Sequence, residues 1–307
     1  MLKQSAFKLA NGDECPIIHL PRRSTFFLAF DLILIFTFVV GWALTFIDDL
    51  SKDDGDKVIL DNPLLRVAGF NPITVGINHF PARIMANIVW GIMLFPLTMY
   101  FVGSLFHYHY CGFSTGVKRF LTFVQVVSYF FVMGFGLLVG FEPKFNLPKF
   151  KRMPSEQLDT DEDFLMVVWQ IEIHFLGFIL MMAGLGAIRG LEIFSFYTDP
   201  SFKGNWPSNA NVYIGAQLFY VLLCLGGIVV PAQLMFKVHD HLKASITDQI
   251  EYTWFSFEAY ISYAWRILFV VVPLFTWWLT PKTTPIICVT QGSAGKKGPS
   301  KATKYYP

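Results

Sequence analysis

The chain alternates between long apolar stretches and short segments that hold nearly all of its charge. Six stretches stand out, at residues 25–47, 84–106, 120–141, 164–188, 212–236 and 254–279. Each is long enough to cross a bilayer, because the hydrocarbon core is ~30 Å thick and a helix rises ~1.5 Å per residue. Backbone groups in lipid must satisfy their own hydrogen bonds, which selects helices. The pattern predicts an all-α polytopic membrane protein, a bundle of six transmembrane helices.

Polar punctuation marks the ends. The first run opens after Leu20-Pro21-Arg22-Arg23-Ser24 and closes at Asp48-Asp49. The second follows Pro81, the third lies between Lys118-Arg119 and Glu142-Pro143, and the fourth follows the acidic run Asp159 to Asp163. The fifth follows Asn209-Ala210-Asn211, and the sixth ends at Trp277-Trp278, an aromatic pair suited to a membrane interface. This divides the chain into an N-terminal segment (1–24), a six-span domain (25–280) and a flexible basic tail (281–307). The first run is long and no small-residue cleavage site follows it, so it is expected to stay as an anchor.

Composition agrees with the pattern. Hydrophobic residues make up 54% of the 307 and charged residues 15%, against about 25% charged in soluble domains. The net charge is only +2 and no basic run is interleaved with aromatics, which excludes a nucleic-acid partner. With six spans both ends lie on one side. The tails and the loops 107–119 and 189–211 then carry 13 Lys/Arg and 4 Asp/Glu, while the loops 48–83, 142–163 and 237–253 carry 10 Lys/Arg and 15 Asp/Glu. The bias of basic residues puts both termini in the cytoplasm and the acidic loops in the lumen or outside. Cys15, Cys111 and Cys288 then face the cytoplasm and Cys224 lies in a span, so no disulfide is expected. Their spacing matches no zinc motif.

Candidate chemistry lies in the ionisable groups inside the spans, each of which costs at least ~2.5 kcal/mol at mid-helix. Asp31 is close enough to the first run's start to reach Arg22 or Arg23. Glu172 and His174 are two residues apart and so project about 200° from each other, each needing its own partner. Glu258 and Arg266 share a face of span six but are ~12 Å apart along it. Arg266 must therefore pair elsewhere, with Glu172 as the candidate partner, or snorkel. His79 stands at the mouth of span two, with His107 and His109 at its other end. His239-Asp240-His241 is a weak three-residue metal pattern in an extended loop. The rival reading for all of these is internal pairing that holds helices together. In the functional reading Glu172, His174 and Glu258 meet near the lumenal side as general base and orienting groups, with Arg266, His79 and Arg83 holding a lipid headgroup. No cofactor or metal is called for.

Short motifs on the spans resemble the DRAM/Frag/Sfk superfamily, and within it the Golgi factors of GPI-anchor lipid remodelling. They are the Pro-Arg-Arg-Ser before span one, Phe80-Pro81-Ala82-Arg83 leading span two and Phe106-His107-Tyr108-His109-Tyr110 closing it. Glu162-Asp163-Phe164 leads span four, Tyr252-Thr253 and Phe255 with Glu258 open span six, and Trp277-Trp278 closes it. The resemblance covers most of 18–280. It implies a factor or enzyme of the pathway in which a lyso-GPI anchor receives a saturated acyl chain, with membrane lipids and GPI-anchored proteins as partners and a Golgi or endoplasmic reticulum location. The family has a His-Glu step early in span four, where this chain has Glu172 and His174 later and in the other order. It also has an Asn and a His in span six where this chain has Trp265 and Phe269. A non-enzymatic regulator or lipid-binding protein of the superfamily and an accessory subunit of a large membrane complex are the other functions that suit such a chain.

Overall fold

The structure is a computed structural model. It describes residues 23–53, 57–69, 71–72, 74–110, 113–140, 145–198, 209–247 and 257–280, with strands at 6–8, 14–19, 286–288 and 305–306. The side chains of Glu258 and Arg266 lie outside the described residues.

Among the described residues five helices are long and apolar enough to cross a membrane, which makes the chain a multi-pass membrane protein. They are α1 (Arg23–Leu50), α4 (Ala82–Tyr110), the pair α5 (Thr115–Val132) and α6 (Phe135–Gly140), α9 (Glu162–Thr198) and α10 (Ala210–Met235). A further helix, α12 (Phe257–Leu279), carries a shorter apolar stretch, Ile267–Leu279. These elements form a closed ring: α1 packs on α4, α4 on α5, α5 and α6 on α9, α9 on α10, α10 on α12, and α12 on α1. The ring encloses one apolar core built from Phe27, Phe30 and Leu34 of α1, Met93 and Leu97 of α4, Phe135 of α6, Met181 and Leu185 of α9 and Tyr220 of α10.

Glycine sets the closest crossing. A Cβ on Gly177 of α9 would lie 2.7 Å from the Gly134 carbonyl oxygen, and one on Gly134 would lie 2.7 Å from that of Gly177. One turn-pair further, a Cβ on Gly184 would lie 2.6 Å from the Ser128 carbonyl oxygen. Lipid is as apolar as leucine, so helices in it associate by close packing, and small residues let backbones approach. The same contact breaks the predicted third span in two: after Val132 the chain makes tight three-residue turns, with the Gly134 amide on the Phe131 carbonyl at 2.9 Å.

The acidic loops fold into a cap over one end of the ring. It comprises α2 (Pro63–Ala68), α3 (Val75–Asn78), α7 (Leu147–Phe150), α8 (Ser155–Leu158) and α11 (Val238–Thr247). Their core joins Leu64, Val67, Val75, Phe150, Leu158, Val238 and Leu242 to Phe164, Val167 and Ile171 of α9. Asp49, at the end of α1, accepts from the amides of Val58 at 3.1 Å and Ile59 at 2.8 Å. Asn62 caps α2 through the Leu65 amide at 2.8 Å and donates to Asn71 at 2.7 Å. Arg66 grips Asp61 through two bonds of 2.6 and 2.7 Å and reaches the Ser245 carbonyl at 2.9 Å, tying α2 to α11.

At the other end, β1 (Ala6–Lys8), β2 (Glu14–His19), β3 (Ile286–Cys288) and β4 (Tyr305–Tyr306) form a small antiparallel sheet in that order. Ile17 pairs with Cys288 and His19 with Ile286.

Candidate functional site

The polar residues of the spans gather in two places. The first is the end of the ring away from the cap, where the sequence pointed to Asp31, His107 and His109 singly but not to a cluster. α9 does not stop at Ile188 but continues to Thr198. Arg189 and Glu192, expected in a loop, therefore stand on helix facing inward.

Arg189 meets Asp31 of α1 at 3.5 Å, both buried, which corrects the expected pairing of Asp31 with Arg22 or Arg23. The guanidinium lies 4.0 Å from the Phe27 ring centroid and 5.1 Å from that of Tyr220, so cation–π attraction from two sides offsets part of its desolvation. Arg23 instead contacts Glu192 at 3.9 Å and donates to Ser104 at 3.4 Å. Tyr100 donates to Glu192 at 2.7 Å, and Tyr108 donates to Gln125 at 3.2 Å and also bonds Arg23. His107 is buried beside Tyr108 and Phe113, within the field of Arg23. Arg23 comes from the Pro-Arg-Arg-Ser motif, and His107 and Tyr108 come from the motif that closes span two. Two motifs some 80 residues apart thus form one cluster.

The second place is the junction of ring and cap. His174 is buried, and its Nε2 shares a 2.8 Å hydrogen bond with Thr74, the residue before α3. The ring also bonds the Leu138 backbone of α6 and feels the charge of His79. His174 is therefore a clamp between α9, α6 and the cap. Arg83 donates to the Gly140 carbonyl at 3.3 Å, at the C-terminus of α6, where a cation suits the helix dipole. Glu172 does not join this cluster. It is half-buried on the opposite stripe of α9, in line with exposed Trp169 and Leu176, as the two-residue spacing requires. The expected convergence of Glu172 with His174 is thus absent. Glu258 and Arg266, the other members of the expected constellation, lie on α12 with side chains outside the described residues.

The His239-Asp240-His241 segment is helical, not extended, and its two histidines diverge. His239 approaches Asp159 at 3.4 Å, while His241 Nδ1 faces the Val67 carbonyl at 3.2 Å. No group of three potential metal ligands comes together among the described residues. Cys224 is an unbridged buried thiol; the other three cysteine side chains lie outside the described residues.

Ion pairs close the cap's outer surface. Lys243 meets Asp159 through two 2.7 Å bonds, and Lys149 bridges Asp161 at 3.1 Å and Asp163 at 2.5 Å. The Lys243 ammonium holds the Asp159 carboxyl below its usual 3.8. The Phe164 amide, with Lys149 after it, does the same for Asp161. Groups whose folded pKa is depressed stabilise above their ordinary value and lose that stabilisation as pH falls through the folded one. Limited proteolysis at the exposed Lys151-Arg152 should therefore be constant from neutral to mildly acidic pH and accelerate only below about pH 4.

No protein family, curated protein or solved structure matches the chain.

Proposed function

We propose that this chain is a six-span membrane factor in the lipid remodelling of GPI-anchored proteins in Golgi or endoplasmic reticulum membranes, with the cap lumenal and both ends cytoplasmic. The observation that carries the reading is the clustering of the motifs that resemble the DRAM/Frag/Sfk superfamily. Arg23, His107 and Tyr108 meet at one end of the ring. At the other end Arg83 donates to the Gly140 carbonyl of α6, Phe164 enters the cap core and Asp163 binds Lys149. The six crossings are supported by the position of α12, which closes the ring between α10 and α1. The shared side of the ends is supported by the pairing of β2, before the first helix, with β3, after the last.

Within this reading the chain binds or positions lipid and leaves the chemistry to a partner. The reason is His174: sealed between Thr74 and Leu138, it has no access to a substrate hydroxyl. The internal pairing of Asp31 with Arg189 and of Glu192 with Tyr100 also favours a second reading, a non-enzymatic regulator or lipid-binding protein of the same superfamily.

Disruption of the gene separates the two. The remodelling reading expects GPI anchors that keep lyso or unremodelled lipid, with less GPI-anchored protein at the surface, and expects Glu172→Gln and Glu258→Gln to rescue in full. Unchanged anchor lipid in the disrupted cells leaves the regulator reading. Anchor lipid that changes with gene loss and is not rescued by stable, correctly located Glu→Gln variants restores the catalytic reading.

A further inference from the structure

Asn87 is out of place for a residue of a membrane-crossing helix. It stands exposed on α4, beside the exposed Ile84, Ile88, Ile92 and Phe95. Helices in lipid turn such amides toward hydrogen-bond partners on neighbouring helices. One turn before it lies Arg83, the only charged residue between Phe80 and Phe106, and one turn after it lies Gly91. The three are spaced by four residues, so they run along one stripe of α4, ~6 Å apart in height.

The stripe borders α6. Arg83 donates to the Gly140 carbonyl at 3.3 Å, and Trp90 lays its ring 4.9 Å from that of Phe135. Across this seam α6 presents glycine at two successive turns. A Cβ on Gly140 would meet no atom within 4 Å, and one on Gly136 would lie 3.4 Å from the Trp90 indole nitrogen. A Cβ on Gly91 would also meet nothing within 4 Å. The seam is thus a shallow groove on the outside of the ring, floored by Trp90. It has a cation at its cap end, an amide one turn in and bare backbone beyond.

That order is the order of groups in a glycerophospholipid. The residues just before Arg83 belong to the cap, so the cap end of α4 is the end that meets the membrane surface. A guanidinium holds two phosphate oxygens at once. The bond to Gly140 fixes the guanidinium over the seam, where a snorkelling arginine would trail into bulk headgroups. The ester carbonyls of the lipid lie a few ångströms deeper than its phosphate, within reach of the Asn87 amide, and an unbranched acyl chain fits over glycine. We infer that the seam between α4 and α6 binds one glycerophospholipid, its phosphate at Arg83, its ester at Asn87 and an acyl chain along Gly91. The inference deepens the lipid-positioning reading and rests on it only for which phospholipid occupies the seam.

The test moves the full-length protein from its own membranes into nanodiscs and counts the phospholipid that stays bound by native mass spectrometry. A phospholipid with a diazirine midway along one acyl chain then marks the groove. The expected result is a single retained phospholipid, with adducts on the α4 peptide around Gly91 in excess of those at exposed Leu222 of α10. Arg83→Met should lower retention about tenfold, the scale of one lost charge-assisted hydrogen bond. Arg83→Lys keeps the charge without the fork and should lower it less, and Asn87→Leu should lower it severalfold. Gly91→Trp should abolish the adduct and Ile92→Trp should leave it. Gly91 has open space at its Cβ and Ile92 is 58% exposed, so neither change disturbs packing. Adducts spread evenly around the bundle, retention that Arg83→Met and Asn87→Leu leave unchanged, displacement by inorganic phosphate alone, or a co-purified protein in place of the lipid overturns the inference. A retained phospholipid that carries the GPI glycan supports the seam and the GPI reading together. An ordinary phospholipid with the same dependence on Arg83 and Asn87 supports the seam and counts against a GPI lipid as its occupant.

Discussion

Replacing Arg189 by methionine should destabilise the protein by about 3–5 kcal/mol, because it strands the Asp31 carboxylate inside the ring with no counter-charge. Methionine fills the volume and keeps van der Waals contact with Phe27 and Tyr220, so the loss measures charge rather than packing. Asp31→Asn alone should also destabilise, by leaving the guanidinium uncompensated. The double variant should cost clearly less than the sum of the two, since it removes both charges together. Thermal unfolding in detergent with all four proteins completes the cycle. Additive losses would mean that the two side chains do not act as a pair.

Gly177→Leu should be at least as damaging. Its Cβ would meet the Gly134 carbonyl oxygen at 2.7 Å and the Leu137 Cβ at 2.8 Å. Both obstacles belong to backbone or to the root of a side chain, so neither can swing aside. The helices must separate along α5, α6 and α9, losing packing that nothing replaces in lipid. A loss of about 3 kcal/mol or more is expected, at the upper end for overpacked cores. Gly190→Ala on the same helix is the control. No atom lies within 4 Å of its Cβ, so it should be neutral or stabilising by up to ~1 kcal/mol. Thermal unfolding of the two variants side by side reads the contrast.

The long helices were legible because lipid imposes a length and forbids charge. The end of α9 was not, for the same reason. The apolar run stops at Ile188, and Arg189 looks like the first residue of a loop until its partner is known. That partner is 158 residues away, so no local pattern could announce it. The cap was missed because its helices have four to ten residues, too few for apolar periodicity. Their caps were readable. Asn62 before Pro63, and Asn146 two residues before Pro148, are helix-start signals that the structure uses. The separation of Glu172 from His174 was dictated by their spacing. That His174 would bond Thr74 was not, because α3 reaches α9 only through the folded cap.

The claim on which the lumenal place of the cap and the cytoplasmic place of the Arg23–His107–Tyr108 cluster both depend is the orientation of the ring. Insertion of an N-glycosylation acceptor into the exposed cap turn at Lys151–Arg152, and separately into the tail at 291–307, tests it in intact cells. The account predicts modification of the cap insertion and none of the tail insertion. Modification of the tail with an unmodified cap would contradict it.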